Sequence, residues 1–226
     1  MNSNTSPIVA FRQFGFAVLP AFFPTAQHGP LRQSCDRALA RVRQDNRETA
    51  HSTPRISLLA DGCDVGHDAL LLSPIIEFAT SPRVCALLRA LTDDGRAAPR
   101  VEEVHYYHEQ TKRDWDGDWH RDSQFGRPDP ELERAFIETT TAVRVHVRVA
   151  FEDDDRLEIV PGSHARWDTP EELRIRRGAD RAAALMPRAT RIQLRAGDGC
   201  LFHAWSIHRA TYRCAPIRRT LDVLYG

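Results

Sequence analysis

The chain has 226 residues, enough for one substantial hydrophobic core and a single domain. Its 31 basic and 31 acidic side chains give a formal net charge of +0, which argues against a nucleic-acid partner. No stretch reaches the roughly 18 apolar residues of a membrane helix, so we expect no membrane partner. The five cysteines lack zinc-ribbon spacing, and Met1 to Ala10 lacks the apolar core of a secretion signal. Both features favour a cytoplasmic protein with free thiols.

Apolar residues at helical spacing dominate the first part of the chain. They predict an amphipathic helix from Leu31 to Arg43 and two helical pieces between Ser73 and Leu91, broken at Ser81-Pro82. The opening segment from Phe11 to Phe23 has an apolar face and is expected to form a short element of its own. Residues 44–70 are polar and are predicted to be loop with short pieces of structure.

From residue 98 onward the pattern changes to a period of two, which is typical of β-strands. In the clearest strand, Val143 to Val149, four valines alternate with Arg144, His146 and Arg148. This alternation does not decide which face is inside; if the polar face points inward, His146 or Arg148 can contact a substrate. The other predicted elements are strands at Val101–Tyr107, Leu157–Val160, Arg191–Leu194, Cys200–Phe202 and Arg219–Tyr225, and a helical insertion at Glu171–Leu185.

Helices first and many short strands afterwards predict a mainly β fold with some α structure. We expect one domain, with a helical N-terminal buttress over about residues 1–97 and an antiparallel barrel over about residues 98–226. A double-stranded β-helix, the barrel of jelly-roll and cupin proteins, fits this order of elements.

A metal-binding motif is suggested by Trp119-His120-Arg121-Asp122. Side chains two residues apart on an extended segment point the same way, so His120 and Asp122 can reach one metal ion. Taken alone, a His-x-Asp triplet is more often a salt-bridged surface pair.

A second histidine about 90 residues further on would complete a site of two histidines and one carboxylate. The segment after Gly197 offers two candidates, His203 and His208. Such a ligand set leaves coordination positions open for a bidentate oxo-acid and O₂, whereas a structural zinc site uses four protein ligands.

Two adjacent arginines, Arg218 and Arg219, open the last predicted strand. Arg219 alternates with Leu221, Val223 and Tyr225, whereas Arg218 alternates with Thr220, Asp222 and Leu224. If the apolar face is the inner one, Arg219 is buried, and a buried guanidinium needs an anionic partner. The carboxylate of an oxo-diacid suits its planar fork.

The sequence resembles the phytanoyl-CoA dioxygenase family of Fe(II)/2-oxoglutarate oxygenases, especially its short bacterial members. The resemblance rests on WHRDSQF (119–125), LEIVPGSH (157–164), WDTPEE (167–172) and the segment 197–225. It implies a double-stranded β-helix with Fe(II) at His120, Asp122 and His208, because the family's distal histidine is followed by a small or basic residue. It also implies that Arg219 anchors 2-oxoglutarate and that O₂ is used to hydroxylate a small-molecule metabolite, with release of succinate and CO₂.

Other residues are candidates for pocket or structural roles. We expect substrate contacts from Gln124, Tyr107, His146 and Trp205, and a structural turn at His164. The acidic segment from Pro128 to Thr141 is either a solvated surface or a lid. Two alternative functions are a cupin-type metal enzyme that does not use 2-oxoglutarate and a non-enzymatic binding barrel.

Overall fold

The computed structural model describes residues 6–44, 55–59, 69–92, 100–108 and 113–226. Much of the predicted loop at 44–70 lies outside the described residues, as does Cys63. The four described cysteines are free thiols.

The described residues form six α-helices and ten β-strands. The helices are α1 (Pro7–Phe14), α2 (Thr25–Gln44), α3 (Ala69–Ala79), α4 (Pro82–Leu91), α5 (Pro130–Thr139) and α6 (Pro170–Arg177). The strands are β1 (Phe16–Leu19), β2 (Arg55–Leu59), β3 (Val101–Tyr107), β4 (Trp115–Asp116), β5 (Val145–Ala150), β6 (Asp154–Ile159), β7 (Thr190–Leu194), β8 (Gly199–His203), β9 (His208–Tyr212) and β10 (Thr220–Tyr225).

Capping residues set the ends of several helices. The side chain of Ser81 accepts a hydrogen bond from the backbone nitrogen of Val84 at the start of α4, which accounts for the predicted break between α3 and α4. Thr169 and Glu172 form a reciprocal capping box at the start of α6. In the part of the chain that the structure describes, no single helix is long and apolar enough to cross a membrane. Only the bent pair Leu71–Ala79 and Pro82–Leu91 reaches that length and composition, and only jointly.

The strands form two antiparallel sheets. The larger has the order β1-β8-β5-β10-β3-β2 and the smaller has the order β4-β9-β6-β7. Side chains from both sheets meet in one apolar cluster, which includes Phe202, Leu157 and Ile192. The predicted jelly-roll architecture is confirmed. Strands β1 and β2 come from the segment predicted to be a helical buttress, and they form the two edges of the larger sheet.

The two faces of the larger sheet lie in different surroundings. Its apolar face packs against the N-terminal helices in the main core, which includes Val147, Val223, Leu39 and Leu88. Its other face, which carries His146, Arg148, Thr220 and Asp222, points toward the smaller sheet. The polar side chains of the Val143–Val149 segment therefore point into the space between the sheets, and its valines point toward the helices.

Candidate metal centre and cosubstrate pocket

Backbone pairing brings the three predicted metal ligands together. His120 and His208 exchange backbone hydrogen bonds of 3.0 and 2.9 Å, which places their imidazole rings side by side with centroids 4.3 Å apart. Asp122 opens a short 3-10 turn, and its backbone nitrogen bonds to the carbonyl of Ala204. One side-chain ligand atom from each of the three residues lies within 4.8 Å of the other two.

Hydrogen bonds at the far side of each ring fix the tautomers of both histidines. Nδ1 of His120 lies 2.7 Å from the carbonyl oxygen of Asp118, and Nδ1 of His208 lies 3.0 Å from that of Ser206. Because a carbonyl only accepts, Nδ1 carries the proton and Nε2 is left as a bare acceptor in each neutral ring. Burial lowers the pKa of His208 to about 3, so this ring is neutral near pH 7.

The bare nitrogens converge on a carboxylate, and this arrangement fits a cation. Nε2 of His120 and Nε2 of His208 lie 3.5 and 3.7 Å from Oδ1 of Asp122. Burial opposes ionisation of Asp122, but the charged ring of His146, which bonds to its Oδ2, holds the pKa of this carboxyl well below the ordinary value. Two imidazole nitrogens and one carboxylate oxygen are the donor set that non-haem Fe(II) oxygenases use.

His203 stands outside this group. Its ring stacks on Phe11 of α1 with centroids 5.8 Å apart, and its Nδ1 accepts a hydrogen bond from the backbone nitrogen of Trp205. Among the described residues, the cluster of possible metal ligands contains His208 and not His203.

A chain of alternating charges lies behind Asp122. Its second oxygen, Oδ2, is 2.9 Å from Nε2 of His146, whose Nδ1 is 2.6 Å from Oδ1 of Asp222. The other oxygen of Asp222 accepts from the Arg148 guanidinium at 2.6 Å. Burial alone would lower the pKa of His146, but the two carboxylates raise it to about 10. Both ring nitrogens of His146 thus contact carboxylates, which leaves neither nitrogen available for a direct bond to a substrate.

The prediction that Arg219, and not Arg218, points into the space between the sheets is wrong. Arg219 lies on the helix-facing side of β10, where its guanidinium donates to the carbonyl of His108 and lies 3.4 Å from Asp36 of α2. Arg218 instead points between the sheets, where it is 1% exposed, donates to Asp154 at 3.1 Å and packs over the Tyr107 ring. The reason is that the helices cover the apolar face of the strand, and the space between the two sheets, which do not form the predicted closed barrel, receives its polar face.

The remaining predicted pocket residues have different surroundings. Tyr107 lies under both interior guanidinium groups, with ring centroid distances of 4.4 Å to Arg218 and 5.1 Å to Arg148. The side-chain oxygen of Gln124 accepts from Arg176 at 2.7 Å. Trp205 is buried, with its ring 4.8 Å from those of His203 and Phe136. His164 hydrogen-bonds the carbonyl of Arg12, as suits a structural turn.

Two residues beside the ligands were missed by the sequence analysis. The guanidinium of Arg121, between the two ligands of the motif, is completely buried. It donates to Asp168 and to the carbonyls of Ser163, Arg166 and Trp205. Phe125 is 72% exposed although its ring lies only 5.4 Å from that of His120. A large exposed aromatic side chain at a metal centre is a candidate substrate contact.

The acidic segment after the motif is fixed to the metal loop by buried ion pairs. Glu133 of α5 is 0% exposed and accepts hydrogen bonds from Ser123, Arg176 and Arg177. Arg176 also bonds to Asp168 at 2.7 Å, which in turn holds Arg121. One face of α5 is therefore fixed to the loop that carries Ser123, while its other face, which includes Leu132, Arg134 and Glu138, is exposed, as the solvated-surface interpretation expects.

The model of the phytanoyl-CoA dioxygenase (PhyH) family matches residues 11–220, which is most of the chain. The chain belongs to this family. The phytanoyl-CoA dioxygenase family consists of Fe(II)- and 2-oxoglutarate-dependent oxygenases, and the enzyme class and cofactors predicted from the sequence are confirmed. No curated protein matches the chain.

Solved structures resemble this phytanoyl-CoA dioxygenase family member over its whole length. HygX from Streptomyces hygroscopicus, with nickel and 2-oxoglutarate bound, is 17% identical with a TM-score of 0.64, and the match covers 97% of this chain and 85% of that one. The epimerase SnoN, in complex with Fe3+, alpha ketoglutarate and nogalamycin RO, is 19% identical with a TM-score of 0.61, over 97% and 81% of the two chains. EctD from S. alaskensis, with 2-oxoglutarate and 5-hydroxyectoine, is 16% identical with a TM-score of 0.64, over 100% and 78%. At these identities the likeness shows the fold alone.

Proposed function

We propose that this oxygenase holds Fe(II) through His120, Asp122 and His208 and hydroxylates a small-molecule metabolite, releasing succinate and CO₂. The observation that carries the proposal is the convergence of two bare imidazole nitrogens on one carboxylate oxygen, at 3.5 and 3.7 Å. Without a bound cation, these two nitrogens and the carboxylate oxygen, all of them acceptors, would repel one another at such short distances. HygX and EctD, which share the fold, were both solved with 2-oxoglutarate.

The chain's own residues bind and orient, while the iron supplies the activation of O₂. Nε2 of each histidine and Oδ1 of Asp122 would hold the metal, and backbone carbonyls keep the two rings from turning. His146 bonds to the second oxygen of Asp122, so that carboxylate would offer one oxygen to the metal. The exposed ring of Phe125 borders the site on the His120 side, where it can contact an apolar part of the substrate.

The positive charges between the sheets suit a dianionic cosubstrate. His146, Arg148 and Arg218 pair with three carboxylates, which belong to Asp122, Asp154 and Asp222. Arg55 of β2 lies near the same group, where Tyr107 and Asp222 raise the pKa of its guanidinium. Together with Fe(II), these positive charges would favour a dianionic cosubstrate such as 2-oxoglutarate.

Iron loading and succinate formation test this function directly. The purified protein, loaded with Fe(II) without oxygen and then exposed to O₂, should convert 2-oxoglutarate to succinate, and faster when a suitable metabolite is present. A metabolite screen scored by succinate, followed by mass measurement of a product heavier by one oxygen atom, would identify the substrate. Iron-loaded protein that neither binds nor consumes 2-oxoglutarate would overturn the proposal.

A further inference from the structure

We propose that His146, Asp222 and Arg148 form a buried positioning chain between the oxo-acid cosubstrate and metal ligand Asp122. In this chain, cosubstrate and metal each strengthen the binding of the other. The proposal rests on the function proposed above and adds three residues to it. Its ends are a metal ligand on one side and a guanidinium on the other, joined by hydrogen bonds of 2.6 to 2.9 Å.

At the metal end, the chain divides the two oxygens of Asp122 between two tasks. Oδ1 lies toward His120 and His208, whereas Oδ2 is bonded to His146 at 2.9 Å. A carboxylate held by one oxygen cannot rotate to offer both oxygens to a metal. His146 therefore fixes both the direction of Asp122 and the number of its oxygens that face the metal.

In the middle of the chain, the ring of His146 is held on three sides. It stacks on Phe202 with centroids 4.3 Å apart and an interplanar angle of 1°, and its Nδ1 is 2.6 Å from Asp222. Asp222 is itself 1% exposed and uses its other oxygen for Arg148. A shift of the Asp222 carboxylate therefore moves the ring that orients Asp122.

At the far end of the positioning chain, one nitrogen of the Arg148 guanidinium bonds to neither His146 nor Asp222. Nε and Nη2 of this guanidinium bond to Asp222, while its Nη1 is buried and has no hydrogen-bond partner among the residues that the structure describes. An unsatisfied buried donor is unfavourable, more so when it is charged, so a group of this kind is well placed to receive an acceptor. The guanidinium lies on the inner face of β5, between the rings of Tyr107 and Phe202.

The neighbouring guanidinium of Arg218 is already paired with a carboxylate of the protein, that of Asp154. Oδ2 of Asp154 accepts from Arg218 at 3.1 Å and from the hydroxyl of Thr220 at 2.9 Å. Arg148 shares its carboxylate, Asp222, with His146, and the two N–H groups of its Nη1 remain available to a ligand. A carboxylate of the oxo-acid that bonds to this nitrogen would restrict the motion of Arg148 and Asp222. Through His146, it would also restrict the motion of Asp122.

Linked equilibria measure such coupling without turnover. The dissociation constant of Co(II), which occupies such sites without starting the reaction, is measured with and without saturating 2-oxoglutarate, and their ratio is the coupling factor. Chelation of the metal by the oxo-acid contributes to this factor in every variant. We therefore expect Asp222→Asn to reduce the factor by about tenfold relative to the native protein, within the range of about 5 to 150-fold typical of coupled sites.

Two further variants make the result decisive. His146→Gln interrupts the chain at a second point and should reduce the factor similarly, and it should also change the visible absorption spectrum of bound Co(II), because Asp122 is released. Arg144→Gln removes a charge two residues away that pairs with Glu102 and lies outside the chain, and it should leave the factor unchanged. Thermal unfolding curves identify any variant that fails to fold.

The possible outcomes separate this proposal from the proposed function. If the native protein binds neither Co(II) nor 2-oxoglutarate, the function itself is wrong. If the native protein binds both and the folded Asp222 and His146 variants keep the native coupling factor, the positioning chain is wrong and the function stands. An equal loss of coupling in Arg144→Gln would also overturn it.

Discussion

Two histidines that lie five positions apart have different roles at the end of β8 and the start of β9. His208→Ala removes one of the three proposed metal ligands and should abolish iron binding and succinate formation. His203→Ala is the matched control, because that ring packs against α1 and should leave iron binding intact apart from a loss of stability. Iron per chain, measured after gel filtration, gives the result. Loss of iron in His203→Ala with retention in His208→Ala would contradict the ligand assignment.

A second prediction at the scale of single residues compares Arg219 with Arg148. Arg219 lies on the helix-facing side of β10, so Arg219→Ala should change the dissociation constant of 2-oxoglutarate by less than about threefold. Arg148→Ala removes a buried charged donor, a loss of about 3–5 kcal/mol, and should weaken 2-oxoglutarate binding by about 100-fold or more. Anaerobic binding titrations of both variants provide the comparison. A large effect of Arg219→Ala alone would restore the original anchor.

For single residues, the sequence located the strands and candidate ligands but did not predict which face of β10 points between the sheets. Alternation along β5 and β10 located both strands, and His-x-Asp located two candidate ligands. The rule that the apolar face of a strand points toward the site failed, because helices cover the apolar face of the larger sheet and its charged face points toward the smaller sheet. The partners of Arg121 lie 42 to 84 residues away along the chain, so no local pattern could have predicted its burial.

At the scale of elements, most predicted helices and strands are present, and the exceptions share a physical cause. Strand β9 was missed because its sequence, HRATY, lacks the apolar alternation of a half-buried strand. Its pairing with β4 and β6 in the smaller sheet fixes it, and this depends on residues far away in sequence. Strand β1 is only four residues long and follows α1 after a single glycine, Gly15, at φ 78°.

The attachment of α5 to the metal loop can be tested by removing its buried carboxylate. Glu133→Ala leaves Arg176 and Arg177 without this partner and should lower the free energy of unfolding by about 3–5 kcal/mol. Glu138→Ala on the same helix is the control, because its ion pair with Arg134 is about half exposed and contributes less than about 0.5 kcal/mol. Urea denaturation measures both. A similar small effect for both variants would show that α5 is not held by Glu133.

At the scale of the whole molecule, the larger sheet separates two kinds of interior. Toward the helices it buries valines, leucines and aromatic rings, whose removal from water stabilises the fold. Toward the smaller sheet it buries paired charges, such as those of His146, Asp222 and Arg148, beside an apolar cluster that includes Phe202 and Leu157. Paired charges contribute less to stability than apolar burial, and here they surround the proposed metal ligand Asp122.

Metal binding should stabilise the whole fold by a measurable amount. Because the ligands come from the loop before α5 and from β9, a bound divalent ion ties together segments almost 90 residues apart and binds only the folded chain. At a metal concentration about 100 times its dissociation constant, this stabilises the fold by about 2.7 kcal/mol, which for a chain of this size raises Tm by about 5–10 °C. Chelation by EDTA should reverse the rise. In Asp122→Ala the rise should be absent, whereas in His203→Ala it should persist on a lower baseline. A rise of native size in Asp122→Ala would show that the ion binds somewhere other than at His120, Asp122 and His208.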